Sequence, residues 1–524
     1  MIKNIINKFI IKEYKFKYLI FSILSGILFG LSFQTFNFFV LVWFAFIPLL
    51  FCIQKNNLKY SILYGFITGI TYSLIAFNWM FLFLLKNTNS FIDSFIVSII
   101  VWTGLTLFFM AWVIILSLTK EKNNLLFIIL AASVWTVLEY IRNYYFGSFP
   151  INLLGYSQSS FIQIIQFADI FGVYGISFII ILINLLLFYW LFRGKKRHLL
   201  SAIFIVCLLL LYGFTRINQI SKINDENEIK IGVVQPNIEQ KYKSKKQYTR
   251  KSLRELERTG IFFEGKFLDI LLYPETILPQ YLNKSEDVRS FVNRTTQLAK
   301  YVLIGNLDEE NYKIYNSIFI VSKNGEIIDK YKKRHLILFG EYIPFQGFLE
   351  RLFSKFISDN NLTQEIELKV FELDKCTLGI NICSENYYPY LSRELVLKGA
   401  NLLTTHSNDA WCDGLSYPYQ HFIMNIFRAI ENRKYLIVAA NTGISGVISP
   451  TGKVIKQTDN QEQTAFEENV YTNNYITIYD RIGDIFVYLC MLYTGIFLLF
   501  AFFLGKRKRH NIKNKSSQRM RAFI

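Results

Sequence analysis

The stretch CTLGINICSENYYP, residues 376 to 389, places a thiol where a strand pattern stops. Leu378, Ile380 and Ile382 alternate as in a half-buried strand, and Cys383 follows at once, with Ser384, Glu385 and Pro389 beyond it. A cysteine there is either a small packed side chain or a nucleophile presented by a turn. Two other strand ends carry ionisable groups. Glu275 in LLYPET follows an apolar run and a proline, where a lone glutamate is usually a solvated turn residue. Lys333 in YKKRHLILFGEYIPF lies in a basic run with Lys330, Lys332 and Arg334, and spacing alone does not single it out. Together the three residues define a chemistry. A thiol becomes a useful nucleophile when a base takes its proton and a cation stabilises charge nearby. Glutamate, lysine and cysteine supply those roles without a metal or cofactor. The histidines (His198, His335, His406, His421 and His510) form no ligand cluster; His335 and His421 could join a site, but neither stands in a Cys-His-Asn pattern. No CxxC knuckle is present, and a Cys376–Cys383 bridge would need two points of one strand held well beyond disulfide distance.

The elements that must position these groups alternate in type. IKIGVVQ (229–235), FLDILLYPE (267–275) and YVLIGNL (301–307) read as strands, separated by helices at 248–259 and 286–300. SIFIVS and EIIDKYKK flank Lys323-Asn324-Gly325, a hairpin with an Asn-Gly turn. TLGINIC, NLLTTH (401–406) and YLIVAAN (435–441) follow as strands, with helices near 390–398 and 418–432. This alternation implies a layered α/β domain, in which strand ends carry the site.

The rest of the chain is apolar. Hydrophobic residues make up 52% and aromatic residues 17%, and mean hydropathy is +0.28, with the apolar residues clumped. Eight segments approach the roughly 20 residues that a hydrocarbon core requires: 17–34, 37–53, 61–85, 94–118, 124–141, 165–192, 198–214 and 484–504. The net charge of +18 falls at their ends. Lys3, Lys8, Lys12, Lys15 and Lys17 precede the first; Lys55 and Lys59 follow the second, Lys120 and Lys122 the fourth. Arg193, Lys195, Lys196 and Arg197 follow the sixth, and Lys506 to Arg509 the eighth. Every second connection is basic, which the positive-inside rule assigns to the cytoplasm. The charge is thus a topology signal and argues against nucleic acid. The expected plan is a membrane domain of seven helices at 1–214, an outer domain at 215–483, a last helix at 484–505 and a basic cytoplasmic tail at 506–524. Both termini would be cytoplasmic, and the first span is read as an uncleaved helix.

The sequence resembles the bacterial apolipoprotein N-acyltransferases, membrane members of the nitrilase superfamily, along nearly its whole length. VVQPNI (233–238), YPE (273–275), KRHLILFGEYIPF (333–345), ICSE (382–385), SNDAWCDG (407–414), PYQHF (418–422), RAIENR (428–433) and AANTGISGVISPTG (439–452) are similar to family blocks in family order. LEYIR (138–142), LLGYSQ (153–158) and GVYGISF (172–178) are similar in the membrane part. The resemblance implies an extracytoplasmic α-β-β-α sandwich, with Glu275 as general base, Lys333 as oxyanion stabiliser and Cys383 as nucleophile. Glu341 matches a second glutamate that orients the lysine, and Glu385 matches the glutamate two residues after the nucleophile. It also implies the reaction: a phospholipid acyl chain passes through a cysteine thioester to the α-amino group of a lipoprotein's diacylglyceryl-cysteine, at the inner membrane. The chain departs from the family at Ser384 (for tyrosine), Leu338 (for proline), Cys412-Asp413, and the missing tryptophan after VQPNI, for which Tyr242 is a substitute. FEGKFLD (263–269) and FQGFLERLF (345–353) are loops that could admit acyl chains.

Three rival readings share parts of this pattern. A membrane-tethered amidase would use the same thioester with water as acceptor. A transporter or receptor would place charges along its spans, whereas Glu139, Arg142 and Asp169 sit toward outer ends. A scaffold would tolerate loss of Cys383.

Overall fold

The structure, a computed structural model, describes residues 2–503 apart from 34–35, 121–124, 145–150, 224–226, 244–245, 279, 283, 338–340, 342–361, 413–414 and 502. Leu338, Asp413, the 345–353 segment and the basic tail lie outside the described residues.

Apolar helices fill the N-terminal part: α1 (Ile2–Leu31), α2 (Ile47–Lys55), α3 (Leu58–Ala76), α4 (Asn78–Thr88), α5 (Phe91–Thr119), α6 (Leu125–Tyr144), α7 (Ala168–Arg193) and α8 (Lys196–Ile220). Among the described residues, α5, α6, α7 and α8 are each long and apolar enough to cross a membrane. The expected span at 61–85 is α3 plus α4, bent by 58°. The break is at Phe77, whose backbone leaves the helical region (φ −123°, ψ 25°). The expected span at 37–53 is a short 3-10 turn, Phe39–Trp43, followed by nine-residue α2. Aromatic rings fill the centre of this bundle, Phe29 stacking on Tyr72 at 4.2 Å and Trp135 meeting Phe46 edge-on at 4.9 Å.

The C-terminal part contains two six-stranded sheets. Its strands and helices in chain order are β1 (Glu228–Gln235), α9 (Thr249–Gly260), β2 (Leu268–Leu272), α10 (Glu286–Thr295), β3 (Ala299–Glu310), β4 (Lys313–Ser322), β5 (Ile327–Lys332), β6 (Phe371–Glu372), β7 (Thr377–Ile382), α11 (Pro389–Leu397), β8 (Leu402–Ser407), α12 (Tyr417–Asn432), β9 (Leu436–Ala440), β10 (Gly446–Ile448), β11 (Val454–Gln457) and β12 (Thr464–Tyr471). An apolar helix at Ile485–Ala501, α13, closes the described chain. One sheet runs β12-β1-β2-β3-β4-β5 and the other β11-β10-β9-β8-β7-β6. Each has a parallel triplet at its centre, β1-β2-β3 and β9-β8-β7. The β4–β5 hairpin turns at Gly325 (φ +81°), as the Asn-Gly signal predicts.

Strand alternation sorts the side chains into layers. Ile229, Ile231, Val233, Ile270, Leu272, Ile318 and Ile320 face Leu378, Ile380, Ile382, Leu402 and Ile437 between the sheets. The opposite face of the first sheet, with Leu271, Val302 and Ile304, packs on Leu253 and Leu256 of α9 and Val288 and Phe291 of α10. The opposite face of the second sheet, with Leu403, Leu436 and Val438, packs on α11 and α12. Those two helices share one continuous apolar core with α3, α6 and α7, so the bundle is bonded to this helix layer rather than to a loop.

Candidate active site

Cys383, Lys333 and Glu275 are buried together at one end of the space between the sheets. Strand geometry puts them there. Tyr331 faces the inter-sheet core, so Lys333, two residues on, leaves β5 toward the same side. Lys330 and Lys332 point the other way, to Asp308 and Glu310. That period of two separates Lys333 from its basic neighbours.

Glu275 follows β2 on a stretch pinned over β3, where the Tyr273 N–H donates to Leu303 O at 2.8 Å and the Ile277 N–H to Gly305 O at 2.9 Å. Thr276 takes φ +40° to make the turn. A Cβ on Gly305 would lie 2.6 Å from Glu275 Cα, so only glycine allows this close approach. Cys383 itself has φ +50° and opens a 3-10 turn, Cys383–Tyr387, after β7. This left-handed conformation is unfavourable for a residue with a Cβ and turns the thiol out of the strand line.

The Lys333 ammonium contacts Glu275 Oε1 at 3.3 Å and Glu341 Oε1 at 2.8 Å. Burial works against its charge, but the two carboxylates outweigh that and hold its pKa well above the usual lysine range. Asn316 Nδ2 donates to Glu275 at 2.6 Å and to Glu341 at 3.2 Å, bridging both carboxylates. The Lys333 N–H donates to Asn316 O at 2.8 Å. Burial, and then the Glu275 charge, push the Cys383 thiol well above its usual range, with Lys333 opposing. The resting thiol is therefore protonated, and its proton must leave as it attacks.

Glu385 is a brace. Its carboxylate accepts from the N–H groups of Arg334 (2.6 Å), His335 (3.2 Å) and Ile382 (2.7 Å), and from the Tyr331 hydroxyl (3.0 Å). It thereby ties the strand end that carries Lys333 to the turn that carries Cys383. Burial pushes its pKa up to about 7 against those donors.

The other sequence candidates separate. His335 stacks on Tyr388 at 3.9 Å, and burial lowers its pKa to about 4. His421, on α12, sits between Asp409 and the Cys383 carbonyl. Among the described residues, Cys383, Asp409 and His421 form a group whose donor atoms lie within 4.8 Å and could hold a metal ion. Both ring nitrogens are already hydrogen-bonded, so a metal would first have to displace those bonds. Cys376 is buried at the start of β7 and all six cysteines are free. Ser384 is buried, and its hydroxyl has no hydrogen-bond partner among the described residues. In FEGKFLD, Phe263 and Leu268 pack in the outer layer, while Phe267 stays exposed. Asn316 was not signalled as a candidate, although Ile318 and Ile320 share its strand face.

The helix bundle reaches the site through α12. Gln420 accepts from Trp79 Nε1 (3.1 Å) and donates to Ala76 O (2.9 Å), bridging the α3–α4 break. Arg433 donates to Asp169 Oδ2 (2.8 Å), Gln166 Oε1 (2.6 Å) and Pro450 O (3.0 Å). Asp169 also pairs with Arg216 at 2.6 Å. Glu431 accepts from Arg428 (3.0 Å) and from the Val173 N–H (2.9 Å), just past Gly172, where φ +63° interrupts α7. Glu139 accepts from the Leu154 N–H at 2.6 Å, so LEYIR and LLGYSQ brace each other.

The two-sheet part is a carbon-nitrogen hydrolase domain: the family model of that description matches residues 230–471. A second model, the apolipoprotein N-acyltransferase N-terminal domain, matches residues 25–186. Proteins named apolipoprotein N-acyltransferase match both parts at once. The Geobacter metallireducens protein is 30% identical over 92% of this chain and 94% of its own length. The Thermotoga maritima protein is 26% identical over 93% and 95%, and that of Aquifex aeolicus 30% identical over 84% and 95%. The chain belongs to the apolipoprotein N-acyltransferase family.

Proposed function

We propose that this protein moves an acyl chain from a phospholipid to the α-amino group of a lipoprotein's N-terminal diacylglyceryl-cysteine, through a thioester on Cys383. The observation that carries the reading is the buried grouping of Cys383, Lys333 and Glu275, on a helix layer that shares its core with apolar helices. In the first step the Cys383 sulfur attacks the ester carbonyl, Glu275 takes the thiol proton, and the proton passes to the departing lysophospholipid oxygen. In the second the lipoprotein amine attacks the thioester, Glu275 takes the amine proton and passes it to the departing sulfur, which restores the Cys383 thiol and the ionised base. Lys333 and the Ser384 N–H stabilise the oxyanion in both steps. Glu341 orients Lys333, and Glu385 positions lysine and nucleophile relative to each other. No cofactor is required.

The same reading assigns eight spans in the bacterial inner membrane, both termini cytoplasmic, and the 215–483 domain on the outer side. What supports it is the basic residues at every second connection. Both substrates are lipid-anchored, which explains a catalytic domain held between apolar helices.

The test uses detergent-purified protein and a phospholipid with a clickable acyl chain, beside Cys383→Ala. A hydroxylamine-labile label that requires Cys383 and moves to a diacylated lipopeptide is expected. Label that decays in water at the same rate with or without the lipopeptide would instead make the protein a hydrolase.

A further inference from the structure

The catalytic grouping accounts for three strand ends but leaves unexplained a buried histidine against the nucleophile's own backbone. His421 Nδ1 lies 3.0 Å from Asp409 Oδ1, and Nε2 lies 3.3 Å from Cys383 O. Both partners are acceptors only, one a carboxylate and the other a main-chain carbonyl. The ring can satisfy both only by donating from both nitrogens, which only the imidazolium does. The Tyr387 and Tyr417 rings enclose it at 5.3 and 5.5 Å and keep it from water.

The carbonyl that His421 contacts belongs to the peptide unit between Cys383 and Ser384. The N–H at the other end of that unit is the Ser384 N–H. Ser384 is the second residue of the Cys383–Tyr387 turn, and the first N–H groups of a helical turn have no acceptor within it. A hydrogen bond to the oxygen of a peptide polarises its N–H, because hydrogen bonds in a chain strengthen one another. It also resists rotation of that peptide, which the left-handed Cys383 backbone would otherwise favour.

We propose that Asp409 and His421 form a positioning pair that holds and polarises the Cys383–Ser384 peptide, so that the Ser384 N–H is aimed and strengthened as an oxyanion donor. His421 keeps its proton throughout and makes no bond to substrate. The chain thus has a charge relay for its oxyanion site rather than for its nucleophile. This rests on the acyltransferase reading.

Its pH dependence follows from the groups that face the ring: Asp409 from the loop after β8, Cys383 and Tyr387 from the turn, Tyr417 from α12 and, further off, Glu275. Burial alone would strip the proton, but Asp409 outweighs it and His421 titrates above the ordinary imidazole range. Activity in the wild type should fall as pH rises through that raised value, because the neutral ring can no longer donate to both partners.

The experiment follows the rate of acyl-enzyme formation from the clickable phospholipid against pH, for wild type, His421→Gln and Asp409→Asn, with thermal melting as the folding check. His421→Gln should be slower by about 10-fold or more, less than the loss of an oxyanion donor itself, with the donor KM unchanged and the alkaline limb absent. Asp409→Asn should retain a limb but move it to lower pH, since the carboxylate that holds the proton is gone. A His421→Gln enzyme with wild-type rate and profile would overturn the proposal. So would an Asp409→Asn limb that does not move, and that comparison decides if His421→Gln fails to fold. If wild type itself forms no adduct, the acyltransferase reading falls first, and the two failures are told apart.

Discussion

Gly305 offers a direct way to move Glu275 without changing its chemistry. A Cβ at residue 305 would lie 2.6 Å from Glu275 Cα and 2.7 Å from Thr276 N, and also against Pro274 O. All three are main-chain atoms, so no rotamer change relieves the contact. Taking Glu275 Cα from 2.6 Å to the 3.4 Å at which ordinary contact begins requires a shift of about 0.8 Å. The hydrogen bonds to Leu303 O and Gly305 O grip both sides of the stretch, so the shift falls on the Pro274–Thr276 segment between them. Overpacking of this kind costs about 1–3 kcal/mol. Misplacing a catalytic group by about 1 Å costs about 100-fold. Gly305→Ala should therefore fold with a lowered Tm and form the Cys383 thioester tens of times more slowly. Gly260→Ala is the control, because its Cβ would meet only the Tyr273 hydroxyl, at an ordinary 3.6 Å. The assay is single-turnover labelling with the clickable phospholipid beside thermal melting of both variants. A Gly305→Ala protein that labels at the wild-type rate would refute the claim that the glycine sets the position of the base.

Two further outcomes are expected. Glu385→Gln puts an amide NH2 opposite at least one of four donors and should lower stability by about 1–3 kcal/mol, measured by denaturant unfolding. Because burial raises the Glu385 pKa to about 7, above its unfolded value, its contribution is full at pH below the ordinary glutamate range and is lost as pH rises to about 7. The variant should lose that slope, at most about 1.4 kcal/mol per pH unit, while Glu431, also raised to about 7 by burial, keeps its share. At the α12–α7 contact, Asp169→Asn leaves the buried Arg433 beside the half-buried Arg216 without their shared carboxylate and should cost about 3–5 kcal/mol. Arg433→Met leaves Asp169 still paired with Arg216 and should cost less. Limited proteolysis and melting would rank the two, and the opposite order would show that Arg216 does not compensate.

What could be read from the sequence was what lies along one strand. The alternation through Leu378, Ile380 and Ile382 located Cys383, and the apolar run before Glu275 located the base, because a period of two and a strand end are local facts. The same period, carried two residues past Tyr331, would have chosen Lys333 among its neighbours, and carried back from Ile318 and Ile320 it would have found Asn316. The bend at Phe77 was hidden for another reason. Its residues are apolar on both sides, and the break is stabilised by Gln420, more than three hundred positions away in the sequence. His421 and Asp409 fell within recognisable blocks, PYQHF and SNDAWCDG, yet nothing in either block shows that they face each other. RAIENR is the clearest case of the limit. Its arginines and glutamate look like a solvated helix end, and amphipathic spacing places them nowhere in particular. In the fold Arg428, Glu431 and Arg433 are fully buried against α7. Arg428 and Glu431 pair with each other inside the block, but Arg433 is buried because a second charge, Asp169, comes from the helix bundle to meet it. The block is therefore legible only as half of an interface, and the other half, Gln166 and Asp169, is written about 260 residues earlier. That pairing lets α12 touch both the nucleophile's turn, through His421, and the helix bundle, through Gln420 and, at its C-terminal end, Arg433.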